Sequence, residues 1–435
     1  MRVWLRRQFY RALTSPARRE ARRRRVEAKR IRRHEPHRVH YFHRPGDPAC
    51  ALMAPLAADL CNRFDIELTL HLTGLPAADV NPDPERLPGC ARRDTAALAE
   101  HFGLSFTDPG EPPARGLENR AAAIIASALA RGEALQAAIE TGEALWRSDE
   151  AAMADAAARF GETSPEAAMK AAEQGSALRD DLGHFQSATL YYGGEWYWSA
   201  DRLHYLETRL AGLGAGLSDA APPPLVPPLL ESESSGDSDG AVLEIYPSLR
   251  SPYTYLAMER AFALADRWQA RVEIRFVLPM VMRSLPVPRR KGKYFLLDAK
   301  REAERLGLPF GNTCDPLGPP TERGLAVLHH AMAQDKGRAF LTSFLRGVWA
   351  EGVDAGSDRG LRLLAERAGL DWSTAKAALA DESWRAVAET NRHRLLELGL
   401  WGVPSFHTGD VSVWGQDRLW RIEQALSAQS KGIAS

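Results

Sequence analysis

The residue types best suited to chemistry in this sequence lie in the segment SPYT, residues 251–254, between a predicted strand and a predicted helix. The apolar run AVLEIY is broken by Pro247, and Ser followed by Pro is a common way to begin a helix. A thiol–disulfide enzyme would place Cys-Pro-x-Cys in this frame, but both cysteine positions here carry hydroxyl groups, on Ser251 and Thr254. The segment therefore keeps the frame of a redox motif without its sulfur atoms.

A helix N-terminus can serve thiol chemistry even when the thiol is not the protein's own. Its unpaired N–H groups carry about half a positive charge, and such a site lowers a thiol pKa to between roughly 3.5 and 7.5. If the thiol arrives on a cofactor, the protein needs only a short hydrogen-bond donor, and the Ser251 hydroxyl can be that donor. The alternative is that Ser251 only caps the helix. The two roles are compatible, because the donor must lie at the cap position.

The segment GVPS, residues 402–405, lies between an apolar helix end and a predicted strand. Proline makes a cis peptide bond inexpensive, and a cis bond before Pro404 would present the backbone of Val403 to an extended peptide. The alternative is a trans proline that begins an edge strand.

Charged and polar residues nearby are further candidates. Gln416 and Asp417 are predicted to open the closing helix, where Asp417 either caps the helix or pairs with an ammonium group of a ligand. Lys291 and Lys293 form a cluster of cations that either meets a carboxylate or is a solvated basic turn.

The elements around these residues occur twice. VHYFHRPGDPACALMAPLAADL near residue 40 and AVLEIYPSLRSPYTYLAMERAF near residue 241 both give a strand, a break and x-Pro-x-x before a helix, so that Asp47 matches Ser251 and Cys50 matches Thr254. Residues 183–203 also align without a gap on residues 399–419. The sequence therefore predicts two copies of one unit.

Four segments follow from this repeat. We predict a basic N-terminal arm at 1–37, helical or disordered, a first domain at 38–215, a Pro- and Ser-rich linker at 216–239 and a second domain at 240–430. Each copy reads strand, helix, strand, a long helical stretch, two short strands and a closing helix, with a right-handed parallel crossover. This order predicts an α/β protein of two tandem thioredoxin-like domains, each with a helical insertion as in DsbA.

The second copy resembles the group formed by 2-hydroxychromene-2-carboxylate isomerase and kappa-class glutathione transferase, within the DsbA-like family. Three blocks carry the resemblance, namely SPYTYLA (251–257), PRRKGKYFLLDAKREAERLGLPF (288–310) and GVPSF…WGQDRL (402–419). They span roughly two fifths of the chain. The first copy resembles the same family more faintly, through its DPAC frame and its terminal block.

The resemblance implies glutathione as the cofactor and assigns a role to each block. It implies that Ser251 holds the glutathione sulfur, and that Val403, before a cis Pro404, offers its backbone to the peptide part. It implies further that Gln416 and Asp417 bind the γ-glutamyl end. Lys291 and Lys293 belong to the block that lies across the active site in the family.

The sequence departs from the family in both copies. Ahead of the lysine block, Arg283-Ser284 stands where the family has a ligand-binding Asn, and either residue could substitute, while Asn312 is either a cleft residue or a loop cap. In the first copy, Ala188 replaces the cis-proline, so a trans bond is expected. Asp47 at the helix start would repel a thiolate. Cys50 is either a small core residue, which we favour, or a monothiol nucleophile.

Composition limits the remaining possibilities. The chain has 435 residues and a formal net charge of zero, but residues 1–37 carry fourteen Arg or Lys against three Glu. This arm either contacts an anionic membrane or nucleic acid or is simply solvated. No apolar window is long enough for a transmembrane helix. The four cysteines form no CxxC pair and no metal-ligand spacing, which favours a cytoplasmic protein without disulfides or metal.

We therefore predict a glutathione-dependent isomerase or transferase that acts on a small aromatic or unsaturated electrophile. The first domain is predicted to be degenerate and to mimic the second subunit of a dimer. The alternative function is a non-catalytic binding or chaperone-like module that holds extended peptides beside Pro404.

Overall fold

The computed structural model describes residues 2–218, 222–238 and 240–430. The predicted linker at 216–239 includes residues 219–221 and 239, which lie outside the described part of the chain. No helix within the described ranges is long and apolar enough to cross a membrane.

The chain divides into two compact units. The N-terminal unit comprises Glu20–Pro228 and Pro288–Lys291. The C-terminal unit comprises the residues up to Arg19, Leu229–Val287 and the chain from Gly292 onward. The predicted boundary at residues 37 and 38 therefore falls inside the N-terminal unit.

The basic arm is helical, which decides between the two states predicted for it. Its helices are α1, Arg2–Leu13, and α2, Pro16–Arg32. In the C-terminal unit, Arg19 forms an ion pair of 2.8 Å with Glu304. In the N-terminal unit, Arg23 donates two hydrogen bonds, of 2.7 and 2.6 Å, to the carboxylate of Glu195. Ion pairs of this kind fix part of the arm's positive charge to acidic residues of the protein itself.

The N-terminal unit contains a four-stranded sheet with the order β2-β1-β3-β4. Its strands are β1 Arg38–His43, β2 Glu67–Leu72, β3 Thr189–Tyr192 and β4 Glu195–Trp198. β1 and β2 are parallel, and the other two pairings are antiparallel. Its helices are α3 Pro48–Arg63, α4 Leu87–Phe102, α5 Arg115–Leu129, α6 Ala134–Trp146, α7 Glu150–Phe160, α8 Pro165–Leu182 and α9 Leu203–Gly212.

The C-terminal unit repeats this plan with the order β6-β5-β7-β8. Its strands are β5 Val242–Tyr246, β6 Arg271–Ile274, β7 Ser405–Thr408 and β8 Val411–Trp414. β5 and β6 are parallel, and the other pairs are antiparallel. Its helices are α10 Pro252–Arg267, α11 Arg289–Arg305, α12 Pro319–Met332, α13 Gly337–Arg346, α14 Asp358–Arg367, α15 Trp372–Ala377, α16 Trp384–Glu397 and α17 Leu419–Ser430.

The two sheets confirm the predicted α/β fold. In each unit, a parallel strand–helix–strand crossover is followed by inserted helices, then by an antiparallel hairpin and a closing helix. The shared strand order is what two copies of one thioredoxin-like unit require. Descent of both copies from one duplicated unit stays a prediction.

The core of the C-terminal unit explains why α10 has a fixed position. Leu243 and Ile245 on β5 and Phe406 on β7 are fully buried, and they belong to one apolar cluster with Leu256 and Met258 on α10. A central strand covered on both faces is typically apolar over nearly its whole length, as β5 is. Packing of α10 against β5 and β7 therefore fixes the N-terminus of α10 near the end of β5.

The buried imidazole of His43 gives the N-terminal unit a predicted dependence on pH. His43 ends β1, its Nδ1 lies 2.9 Å from the Tyr41 hydroxyl, and burial lowers its pKa from 6.5 to about 3. The unfolded chain therefore binds a proton that the folded chain does not, and stability is expected to fall as pH drops from 6.5 towards 3. Urea unfolding at several pH values measures the free energy of unfolding. This free energy should depend less steeply on pH in His43→Gln, which keeps an acceptor for Tyr41. An equal slope in this variant would contradict the assignment, and His34→Gln, at an exposed site, is the control.

Candidate functional site

The start of α10 forms the first part of the candidate site. Ser251 is the N-cap of α10, and its Oγ accepts a hydrogen bond of 3.2 Å from the backbone N–H of Thr254, while Pro252 occupies the first helical position. This geometry is the local result of a Ser-Pro sequence. The Ser251 side chain therefore lies at the positive end of a sixteen-residue helix.

The proline loop forms the second part. The bond between Val403 and Pro404 is cis, as predicted, and within the described ranges no other peptide bond is. The Ser251 hydroxyl donates to the carbonyl oxygen of Val403 at 3.5 Å. The fold thus brings together two segments that are 152 residues apart in the sequence.

Packing of an indole ring explains the glycine in this loop. A Cβ atom at Gly402 would lie 2.1 Å from the ring of Trp414. Trp414 ends β8, and its ring centroid lies 6.2 Å from that of Trp401. The backbone ahead of Val403 can approach this aromatic pair only without a side chain.

The second hydroxyl of the SPYT segment is not available to a ligand. Thr254 is fully buried, and its Oγ1 accepts a hydrogen bond of 3.4 Å from the backbone N–H of Ser248. The Ser248 hydroxyl is buried and has no hydrogen-bond partner within the described residues. Of these three hydroxyl groups, only that of Ser251 is partly exposed.

Tyr253 and Asp298 are neighbours of the site that the sequence did not reveal. The Tyr253 hydroxyl donates to Asp298 at 2.9 Å, and Arg301 donates to the other carboxylate oxygen at 2.8 Å. Asp298 is 2% exposed on α11 and follows the lysine cluster in the block 288–310. The tyrosine directly after the Ser-Pro cap was the available signal, but its partner is not encoded locally.

The Gln416 side chain is buried and bonded within the protein. Gln416 is 1% exposed, its Oε1 accepts a bond of 2.8 Å from Arg260, and its Nε2 donates to Glu302 at 2.8 Å. Both ends of the amide thus bond to the protein, so we do not assign it as a direct ligand. Asp417 lies 3.3 Å from Arg418, in the turn before α17 rather than in its first turn.

A network of buried and partly buried polar groups includes Gln416. Arg260 also donates to both oxygens of Glu231, and Glu302 also accepts a bond of 2.8 Å from Arg305. This network could not be predicted from the sequence, because its members come from the linker, α10, α11 and the turn before α17.

The two lysines of the predicted cluster belong to different units. Lys291 belongs to the N-terminal unit, where it is 7% exposed and its Nζ donates to the Val80 carbonyl oxygen at 3.1 Å. Burial lowers its pKa from 10.5 to about 8. The Lys291 ammonium thus bonds to the protein itself, while Lys293 is exposed on α11. Binding of glutathione by either lysine stays a prediction.

The two candidate substitutes for the missing Asn lie in a short 3-10 turn and after it. Arg283 ends the turn Met280–Arg283, and burial together with Arg392 lowers the pKa of its guanidinium. Ser284 follows in a left-handed conformation with φ of 60°. Asn312 accepts from Arg7 and donates to a backbone carbonyl, so it is a structural residue of its loop.

The corresponding place in the N-terminal unit is closed. Asp47 caps α3 and accepts a second hydrogen bond from the hydroxyl of Ser187, the residue before Ala188. Ala188 has φ of 55°, and its bond to Ser187 is not among the cis bonds, as expected. The Asp47 carboxylate would repel a thiolate, and the Ser187 hydroxyl already bonds to it. A degenerate first copy stays a prediction.

Cys50 is a core residue of this unit and should not react in the native protein. It is fully buried, and burial followed by the charge of Asp47 raises its pKa to about 12. Since the thiolate is the reactive form, iodoacetamide should modify the half-buried Cys61 and Cys90 much faster than Cys50. Peptide mass spectrometry of native and denatured protein measures these rates. Native labelling of Cys50 as fast as that of Cys61 would contradict the assignment.

The fold and the candidate site together define the class: a thioredoxin-like α/β unit whose first helix begins with a serine beside a cis-proline. Residues 242–427 match the family described as DSBA-like thioredoxin domain. These residues of the C-terminal unit therefore form a DsbA-like thioredoxin domain.

Two isomerases are among its relatives. The 2-hydroxychromene-2-carboxylate isomerase of Pseudomonas putida is 26% identical over 197 residues, which are 42% of this chain and 94% of the relative. That of Sphingobium xenophagum is 27% identical over 192 residues, covering 42% and 97%. A solved structure of such an isomerase aligns with 45% of this chain and 100% of its own, at 23% identity and a TM-score of 0.39.

Proposed function

We propose that the C-terminal unit binds glutathione, stabilises its thiolate with Ser251, and catalyses isomerisation or conjugation of a small aromatic or unsaturated electrophile. The observation that carries this proposal is the Ser251 hydroxyl at the N-terminus of α10, 3.5 Å from the Val403 carbonyl beside the cis-proline. The relatives named as isomerases of an unsaturated carboxylate support it.

The hydrogen bonds of Ser251 suit this role. Its Oγ accepts from Thr254, which orients the hydroxyl, and its proton points to an acceptor at 3.5 Å, beyond the usual 2.5–3.0 Å of a good O–H···O bond. A thiolate that arrives at the helix start is a better acceptor than this distant carbonyl. The hydroxyl can therefore turn to the sulfur without losing a strong bond.

The positive end of α10 adds to the effect. Its first turn favours negative charge, and a sulfur placed there is held as the thiolate at neutral pH. Bound glutathione supplies a nucleophilic sulfur, and the protein supplies orientation and charge stabilisation. Because both cysteine positions of the frame carry hydroxyl residues, Ser251 and Thr254, a dithiol redox function is disfavoured. A reducing, cytoplasmic setting, in which glutathione is abundant, belongs to this proposal.

Calorimetric titration with reduced glutathione tests the binding step. The full chain should give saturable heat, and Ser251→Ala should bind more weakly, whereas Ser248→Ala, which removes the neighbouring unpartnered hydroxyl, should bind like the parent. Absence of heat at millimolar glutathione would refute the proposal. Titration with extended peptides would then test the groove beside Pro404 as a non-catalytic binding site.

A further inference from the structure

The outer face of α1 is an exposed apolar surface bordered by arginines. Trp4, Leu5 and Phe9 are 59%, 52% and 62% exposed. At 100° per residue these three side chains lie within one sector of the helix, with Arg6 at one border and Arg11 at the other. Both arginines are exposed. We call these five residues the α1 outer face.

The inner face of α1 is already committed to the C-terminal unit. Tyr10 and Leu13 pack against its apolar core, and Thr14, just after the helix, is 5% exposed. A Cβ at Gly311 would lie 2.4 Å from the Thr14 hydroxyl, so the chain approaches this loop closely. The helix is therefore held by one side, and the outer face cannot turn inward without breaking these contacts.

The charge around the outer face identifies its partner. Residues 1–19 contain six arginines and no Asp or Glu. Arg7 and Arg19 bond to Asn312 and Glu304 of the same unit, while Arg6, Arg11 and Arg18 are exposed. A nucleic acid would bind the arginines and could stack bases on Trp4 and Phe9, but it would leave Leu5 exposed, whereas an anionic bilayer surface contacts the arginines and buries all three apolar side chains.

We propose that the α1 outer face binds the surface of an anionic lipid membrane. Trp4, Leu5 and Phe9 enter the boundary between headgroups and acyl chains, and the bordering arginines contact lipid phosphates. Tyr10, on the inner face, donates to Asp315 at 3.3 Å, and Asp315 pairs with Arg250 at 2.8 Å. The inner face of α1 is therefore linked through Asp315 to the loop that leads to Ser251.

Flotation of the full chain with vesicles tests this proposal. It should float with vesicles of equal parts phosphatidylglycerol and phosphatidylcholine, much less with phosphatidylcholine alone, and less at high salt. The double variant Trp4→Ala/Phe9→Ala should lower the partition coefficient about tenfold or more. The matched control is Leu317→Ala/Leu363→Ala, two exposed leucines elsewhere in the same unit, which should not change it.

A second pair of variants separates charge from apolar contact. Arg6→Gln/Arg11→Gln should weaken vesicle binding about fivefold for each charge removed. Equal binding by the parent and by both double variants would overturn the proposal, as would no binding to either vesicle. A different result would indicate a nucleic acid as the partner. In that case the parent chain would bind duplex DNA but no vesicles, and only Arg6→Gln/Arg11→Gln would lose DNA binding. If the parent chain bound no vesicles but self-associated, and Trp4→Ala/Phe9→Ala abolished the self-association, the partner of the α1 outer face would be a second copy of the chain.

Discussion

Ser251→Ala is expected to lower the glutathione-dependent rate proposed for the C-terminal unit by about two to three orders of magnitude, the typical loss when one preorganised donor is removed from a developing negative charge. The same change removes the N-cap of α10 and should cost only about 1 kcal/mol of the free energy of unfolding. The effect on the reaction should therefore greatly exceed the effect on folding.

Two variants separate the cap from the donor. Ser251→Asp keeps a capping oxygen at the helix start but places a negative charge there, so it should preserve stability and abolish the reaction. Asp47, which caps α3 in the N-terminal unit, is the natural example of that arrangement. Ser251→Thr keeps the hydroxyl and should retain part of the activity. The screen uses reduced glutathione with unsaturated aromatic carbonyl compounds, followed by absorbance, and urea unfolding is measured in parallel.

The opposite pattern would contradict the role of Ser251. If Ser251→Ala retained the full rate, the thiol would have to be held by another group. If Ser251→Asp were as active as the parent, negative charge at this helix start would be tolerated, and thiolate stabilisation could not be the function of the site.

The parts of the site that the sequence predicted are those fixed by neighbouring residues. A cap at Ser251 depends on Pro252 and on the N–H of Thr254, all within one turn. The cis bond concerns two adjacent residues, Val403 and Pro404. The order of strands and helices was also predictable, because it follows from apolar periodicity and from the repeat of one pattern in both halves.

The parts of the site that could not be predicted are the partners of long side chains, because these partners are distant in sequence. Gln416 meets Arg260, 156 positions away, and Lys291 meets Val80, 211 positions away. A polar residue beside a motif can point into a cleft or into the core, and only the packing of other elements decides between these. In both cases the side chain forms hydrogen bonds with a complementary donor or acceptor of the protein itself.

Glu302→Ala is expected to destabilise the C-terminal unit by about 3–5 kcal/mol, because truncating one member of a buried ion pair removes a buried charge that its partner bonds to. The Glu302 side chain is 1% exposed and accepts from both Gln416 and Arg305. Its removal leaves a buried amide N–H and a largely buried guanidinium without their acceptor. Urea unfolding followed by tryptophan fluorescence measures the loss.

Glu304→Ala is the matched control on the same helix. Glu304 is more exposed, pairs with Arg19 and Lys300, and should contribute less than about 1 kcal/mol. Glu302→Gln keeps one acceptor and should lie between the two. If Glu302→Ala instead left stability unchanged but weakened glutathione binding, the network would be part of the ligand site, and Gln416 would regain the role of a ligand. The expected result is a large loss of stability, with the affinity for glutathione retained in the folded fraction. This result would assign Gln416 to the scaffold that holds α10 against the turn before α17. Recognition of glutathione would then depend on Ser251 and on the backbone beside Pro404.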